Sequence, residues 1–439
     1  MRNINVSSAM DTRIQCLKEK IFTGSRAVTV PSSKSHTIRA LLISAMADGR
    51  SRLINPLDSA DARSCIDACR TFGAVINTET IEDGIPVWIV TGTGGAFSKE
   101  INTIDVGNSG TTLYLAAGLA ALSSDDIEFT GDRQIQSRPV KALLDSLADL
   151  GAHVNLPGAS GCPPFNIQGP LNGGETSIEC PTSQYLSSLL LCTPLAGGIS
   201  IINVPLLMEQ PYVEMTLRWL DSQGIRYEND NFTRFTIPGG QKYRAFESRI
   251  PGDFSSAAFF LCAAAITGSK LTLAGLDVTD SQGDKAILDY LTAMGCNVVT
   301  AADSVTITGP KQLKAANIDL NDTPDALPAM AVTACFAKGE TILYNVPQAR
   351  LKETDRIAVM QEELTKLGAD ISEREDGLVI RGGKKLAGNR LEGHGDHRVV
   401  MSLAVAALRA EGETIITDAE AVDITYPGFF NQLESLINC

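Results

Sequence analysis

The sequence has few of the features that would tie it to a metal, a membrane or a nucleic acid. None of its ten cysteines forms a Cys-x-x-Cys pair, and the nearest two, Cys65 and Cys69, are spaced as on one helix face. They read as reduced thiols, mostly core residues, which points to a reducing, cytoplasmic setting. No secretory stretch stands near Met1 and no apolar run is long enough to span a bilayer. Long basic runs are absent and the formal net charge is −14, so neither nucleic acid nor an anionic membrane is an expected partner. A Walker loop of the form GxxxxGK[ST] is missing, and no GxGxxG follows a strand in the right place. Nucleotide hydrolysis and nicotinamide chemistry therefore have little support.

What is present is a repeat. Hydrophobic residues make up 44% of the 439 and charged residues 20%, as in folded globular chains, and this length exceeds one ordinary core. The segments CRTFGAVI, LADLGAHV, LDSQGIRY, LTAMGCNV and LTKLGADI each join an amphipathic helix to a strand through a glycine. Gly73, Gly151, Gly224, Gly295 and Gly368 recur roughly every 73 residues, at the position that ends a helix in left-handed backbone. A sixth amphipathic helix, FFNQLESLIN, lies one period later. Between these run six nearly all-apolar helices, among them GTTLYLAAGLAAL and SSAAFFLCAAAIT. Helices apolar on every side are buried ones. The expected fold is therefore α/β: a two-domain, inside-out α/β barrel with three repeated units per domain, buried helices and sheets outside. Segments marked by Pro and Gly at Val30-Pro31-Ser32 and Ile250-Pro251-Gly252 divide the chain into a first domain, residues 33–251, and a second made of 1–32 and 252–439.

Polar residues gather where the buried helices begin: PSSKSHTIR, VGNSGTT, PTSQY, PGDFSSA, DTPDALP and GHGDHRV. Each start reads as ordinary N-capping by itself. Capping does not call for the cations Lys34, Arg39 and Arg398 beside them, nor for Arg138 in QSRPV and Lys352 and Arg356 in RLKETDR. Unpaired helix N–H groups together with cations make an anion site. Glu353, between Lys352 and Arg356, has the chemistry to exchange a proton where it is partly buried. His394, Asp396 and His397 lack the spacing of a metal-ligand motif and adjoin Arg398, so no metal is expected. His36 and His153 read as structural.

Taken together and in order, PSSKSHTIRA, GNSGTT, SRPV, the Ser-Gln of PTSQY, PGDFSSA, PDA, LKETDR and DHR resemble the enolpyruvyl transferase family along the full chain, and within it the branch that uses shikimate 3-phosphate. The resemblance implies transfer of the enolpyruvyl group of phosphoenolpyruvate to the 5-hydroxyl of shikimate 3-phosphate, with release of phosphate, as a step of aromatic amino-acid biosynthesis. It implies no metal, no organic cofactor and a monomer, with the active site in the cleft between the domains. It assigns Ser35 and Arg39 to the shikimate carboxylate, Thr182, Ser183 and Lys352 to its phosphate, and Tyr212 to its ring. Lys34, Gly110, Arg138 and Gln184 fall around the phosphate of phosphoenolpyruvate, and Arg356 and Arg398 at its carboxylate. Asp325 is the expected base for the 5-hydroxyl and Glu353 the expected proton donor to C3, with Lys34 completing the catalytic set.

Four positions depart from the family's pattern. Ile424 stands where a lysine is usual, Tyr114 where an arginine is common, Glu209 where a phosphate-binding serine is common, and Gln348 where an asparagine is expected near the 5-hydroxyl. A carboxylate beside a substrate phosphate is repulsive, so either Glu209 points away or the acceptor is another phosphorylated cyclitol. Two further readings are a sister transferase acting on UDP-N-acetylglucosamine, which would carry a cysteine near the SRPV segment, and a non-catalytic binding protein of the same fold.

Overall fold

The computed structural model describes residues 4–6, 11–16, 27–80, 84–97 and 103–437. The chain divides into two compact units: a first, Ser32–Pro251, and a second, Met1–Pro31 with Gly252–Cys439. The helices of the first are α1 (Lys34–Met46), α2 (Ala60–Thr71), α3 (Gly110–Ala120), α4 (Lys141–Asp149), α5 (Ser183–Cys192) and α6 (Gln210–Ser222). Those of the second are α7 (Phe254–Thr267), α8 (Ile287–Ala293), α9 (Leu327–Cys335), α10 (Arg356–Lys366), α11 (His397–Ala407) and α12 (Phe429–Ile437). Every residue of α3, α7, α9 and α11 is buried, as the unbroken apolar runs require. The even-numbered helices bury one face.

Six sheets stand among the described residues, three in each unit, and all share one pattern. A first strand pairs in parallel with a second across a buried helix, and an antiparallel pair completes the sheet. Gly174–Cys180, α5 and the parallel Ser200–Leu207 are followed by α6, Glu228–Asp230 and Arg234–Ile237. A parallel pair needs a crossover long enough to return the chain, and the buried helix is that crossover. Two repeats borrow their first strand across the linkers. Ala27–Thr29 pairs with Lys270–Ala274, whereas Glu247–Arg249 pairs with Arg50–Ile54. The last repeat takes its antiparallel pair, Ile4–Val6 and Thr12–Gln15, from the start of the chain.

Each unit has its own hydrophobic core. All five glycines of the repeat have positive φ, from +68° at Gly224 to +109° at Gly151, so the shared residue is a backbone requirement. Gly118 is needed for another reason: a methyl group there would lie 2.4 Å from Ser188 Oγ, so only glycine lets α3 and α5 approach. Five buried helices are capped by the side chain of the residue before them, Ser33, Ser109, Thr182, Asp253 and Asp396. The sixth, α9, is not, and the acid at its start, Asp325, turns elsewhere. No described helix is long and apolar enough to cross a membrane.

Candidate active site

In the second unit Arg356 opens α10 and is buried, with 1% of its side chain exposed. Its guanidinium makes four hydrogen bonds to three carboxylates. Nε and Nη2 donate to the two oxygens of Asp396 at 2.8 and 3.1 Å, Nη1 donates to Asp325 at 2.8 Å, and Nη2 also donates to Glu353. The other oxygen of Asp325 lies 3.0 Å from Arg398. Asp396 also accepts from the Thr354 hydroxyl and the Arg398 backbone N–H. With Lys352 nearby, three cations face three acids. Burial alone would push Asp325 upward, but Arg398, Lys352 and Arg356 outweigh it and hold it far below the carboxylate range. Burial likewise opposes ionisation of Asp396, and Arg356 reverses it. Burial opposes the charge on Arg356, but Asp396, Glu353 and Asp325 outweigh it and hold the guanidinium above its ordinary value. Asp325, Glu353, Arg356 and Arg398 thus form one cluster, which Lys352 influences through its charge. Gln348 anchors its Nε2 on the Asn321 carbonyl at 2.8 Å, while its buried Oε1 meets no hydrogen-bond donor among the described residues.

Three polar clusters stand in the first unit. Arg39, one turn into α1, is buried, and among the described residues its hydrogen bonds go to neutral oxygens: Thr216 Oγ1, Ser187 Oγ and the carbonyls of Ser35 and Tyr212. Burial lowers this guanidinium to about 10. A buried cation without a carboxylate partner is held ready for an incoming anion. The second cluster is Gly110 at the start of α3, which adjoins the Arg138 guanidinium: a methyl group there would lie 3.7 Å from Arg138 Cζ, an ordinary contact. Tyr114 and Tyr185 brace this segment, both hydroxyls donating to the Pro139 carbonyl at 3.1 and 2.7 Å with their rings edge to face. Lys34, the first residue of α1, lies 3.0 Å from Asp61 on α2.

The third cluster is the start of α5. Glu209 does not point away from it. Its Oε2 accepts from Ser183 N–H at 3.1 Å, Ser183 Oγ at 2.8 Å and Thr182 Oγ1 at 3.3 Å, and the residue is 2% exposed. Thr182 Oγ1 in turn accepts from Gln184 N–H, while the Gln184 Oε1 meets no donor among the described residues. A carboxylate therefore sits on the donors expected for a phosphate. Two unit charges about 4 Å apart repel by roughly 4 kcal/mol near a protein surface, so both cannot share these donors cheaply.

Other residues that sequence reasoning singled out have structural partners. Ile424 is half-buried and packs on the core of its unit, and Tyr114 is the brace just described. His36 accepts from the Trp219 indole N–H at 3.0 Å, and His153 lies in a short strand. His394 reaches the buried Glu363 at 2.8 Å, whose carboxylate also meets Lys366 at 2.7 Å; Lys366 lies 2.9 Å from Glu362. None of the nine described cysteines is in a disulfide, and burial pushes Cys180, Cys192, Cys262, Cys296 and Cys335 up to about 12, which keeps these five thiols protonated. Asp61, Asp396, Thr216, Ser187 and Tyr185 were not assigned functions from the sequence. Asp396 lies in DHR and Tyr185 in PTSQY; the others carry no local signal.

The repeat topology and these polar helix starts define an α/β protein built for anionic ligands. A model of the EPSP synthase (3-phosphoshikimate 1-carboxyvinyltransferase) family matches residues 21–433. The chain is 50% identical over 413 residues to the 3-phosphoshikimate 1-carboxyvinyltransferase of Ruminiclostridium cellulolyticum, covering 94% of this chain and 96% of that one. It is 51% identical over 417 residues to the enzyme of the same name from Acetivibrio thermocellus, covering 95% and 97%. Among solved structures, an EPSP synthase from Acinetobacter baumannii superposes with a TM-score of 0.78 at 29% identity, covering 97% of this chain and 98% of that one. The chain belongs to the EPSP synthase family.

Proposed function

We propose that this chain transfers the enolpyruvyl group of phosphoenolpyruvate to the 5-hydroxyl of shikimate 3-phosphate and releases phosphate. The observation that carries the reading is the cluster around Arg356, in which a base, an acid and two guanidinium groups share one hydrogen-bonded frame. Arg356 and Arg398 receive the carboxylate of phosphoenolpyruvate. Its arrival draws guanidinium charge away from Asp325, so a carboxylate that is a poor base in the free protein becomes a better one when substrate is bound. Asp325 takes the proton of the 5-hydroxyl as oxygen adds to C2, while C3 receives a proton from Glu353. C3 then gives a proton back, the C2–O bond to phosphate breaks, and the double bond re-forms.

Lys34, Gly110, Arg138 and Gln184 hold the departing phosphate. Ser35 and Arg39 take the acceptor carboxylate, Thr182, Ser183 and Lys352 its phosphate, Tyr212 its ring, and Gln348 the region of the 5-hydroxyl. Preorganised donors of this kind stabilise charge that develops in the transition state. The protein works as a monomer in the cytoplasm, without nucleic acid or membrane.

One observation favours a second reading, an acceptor other than shikimate 3-phosphate: the Glu209 carboxylate already lies on Thr182 and Ser183. The 50% identity to a named 3-phosphoshikimate 1-carboxyvinyltransferase favours the first. The test is phosphate release from phosphoenolpyruvate with shikimate 3-phosphate, each substrate alone serving as blank. Release only in the complete mixture is expected. A folded protein that releases none, or that turns over only with UDP-N-acetylglucosamine, would refute the proposal.

A further inference from the structure

We propose that Glu209 is a displaceable occupant of the acceptor-phosphate subsite, which an incoming phosphate must dislodge; the inference rests on the function proposed above. Glu209 immediately precedes α6 and has left-handed backbone, φ +58° and ψ +39°. A side-chain oxygen at such a position commonly caps its own helix. Here no side-chain bond caps α6, and the carboxylate reaches the N-terminus of α5 instead. Thr182 already serves Gln184 N–H. Three other donors face outward from that turn, the Ser183 N–H and the hydroxyls of Ser183 and Thr182, and a single oxygen of Glu209 accepts from all of them. These donors suit a phosphate as well as a carboxylate, because a helix N-terminus favours either anion.

An incoming phosphate therefore exchanges with Glu209 rather than joining it. A dianion that accepts from all three donors can displace the carboxylate. A neutral hydroxyl at the same position cannot. Glu209 thereby keeps the subsite from filling with stray weak anions, and it weakens binding of the correct acceptor in return.

The test is calorimetric binding of shikimate 3-phosphate, shikimate and inorganic phosphate to the wild type, Glu209→Gln and Glu209→Ser. Gln keeps the shape and an accepting oxygen but removes the charge. Both variants should bind shikimate 3-phosphate and inorganic phosphate about tenfold more tightly or better, with shikimate unchanged. Folded variants whose affinity for both phosphates is unchanged or weaker would overturn the proposal and leave Glu209 a structural cap. A wild type that releases no phosphate in the transferase assay counts against the parent reading alone, because the inorganic-phosphate measurement does not depend on the acceptor's identity. Should the variants not fold, a crystal structure of the wild type with shikimate 3-phosphate decides. A carboxylate withdrawn from Ser183 supports exchange, and one still seated on the Ser183 N–H refutes it.

Discussion

Replacing Arg356 by Gln tests the buried cluster directly. The guanidinium is 1% exposed and Asp396 is fully buried. Asp325 and Glu353 retain 19% and 13% exposure, and Asp325 keeps Arg398. The loss therefore falls chiefly on Asp396, left with the Thr354 hydroxyl and the Arg398 N–H. Removing one partner of a buried ion pair costs about 3–5 kcal/mol, a large share of the roughly 5–15 kcal/mol that holds a domain folded.

The cost should depend on pH. In the wild type, burial pushes Asp396 up and Arg356 more than reverses it. Its ionisation therefore contributes stability above the unfolded carboxyl value of about 4, which is lost as pH falls through the lower folded value. Without Arg356 burial prevails, the folded value rises above the unfolded one, and protonation relieves the variant as pH falls. Urea unfolding at pH 7 and at pH 4.5 should give a stability difference that is larger at pH 7. Adding Asp396→Asn to Arg356→Gln should restore about 1–2 kcal/mol at pH 7, because Asn still caps α11 and brings no charge. Equal losses at both pH values, or strictly additive effects of the two substitutions, would refute the reasoning.

Asp325→Ala should lower kcat for phosphate release by about 10²–10⁴ and change acceptor binding little, since its role lies in the chemical step; wild-type turnover would remove it from the mechanism. Tyr185→Phe deletes the 2.7 Å bond to the Pro139 carbonyl, costing about 1 kcal/mol of stability and raising KM for phosphoenolpyruvate with kcat unchanged. A stability loss with KM unaltered would mean that the tyrosine pair does not position Arg138. The hydrogen bond that His394 donates to the Glu363 carboxylate raises the imidazole, against some burial, so their pairing stabilises the fold fully below about pH 6.5 and is lost as pH rises through the higher folded value. His394→Gln should then cost about 0.5–1 kcal/mol at pH 6, allowing for partial exposure, and less at pH 9, as read by chemical denaturation.

What this sequence determines by itself is periodic. The repeating glycine, the alternation of all-apolar with amphipathic helices and the polar helix starts are local patterns. Their causes, left-handed backbone, burial of whole helices and unsatisfied N–H groups, act over a few residues, so they can be read along the chain. Five of the six helix starts are capped as their residue types imply, and the five glycines adopt the backbone that their position demands.

The partners of charged side chains follow a different logic, because they depend on which helices pack together. Arg356 meets Glu353 three residues away, but it also meets Asp325 and Asp396, 31 and 40 positions distant. Arg39 finds Ser187 and Thr216 148 and 177 positions away. Nothing local to Glu209 indicates that its side chain leaves its own helix for Ser183, 26 positions earlier. The cations and acids of the site were legible as a set in the sequence, whereas tertiary packing decided which of them neutralise one another and that Arg39 is left with neutral partners. It also decided that a carboxylate occupies a subsite expected for phosphate. The physical reason is that a buried charge must find a partner wherever the fold brings one, and only the folded backbone says where that is.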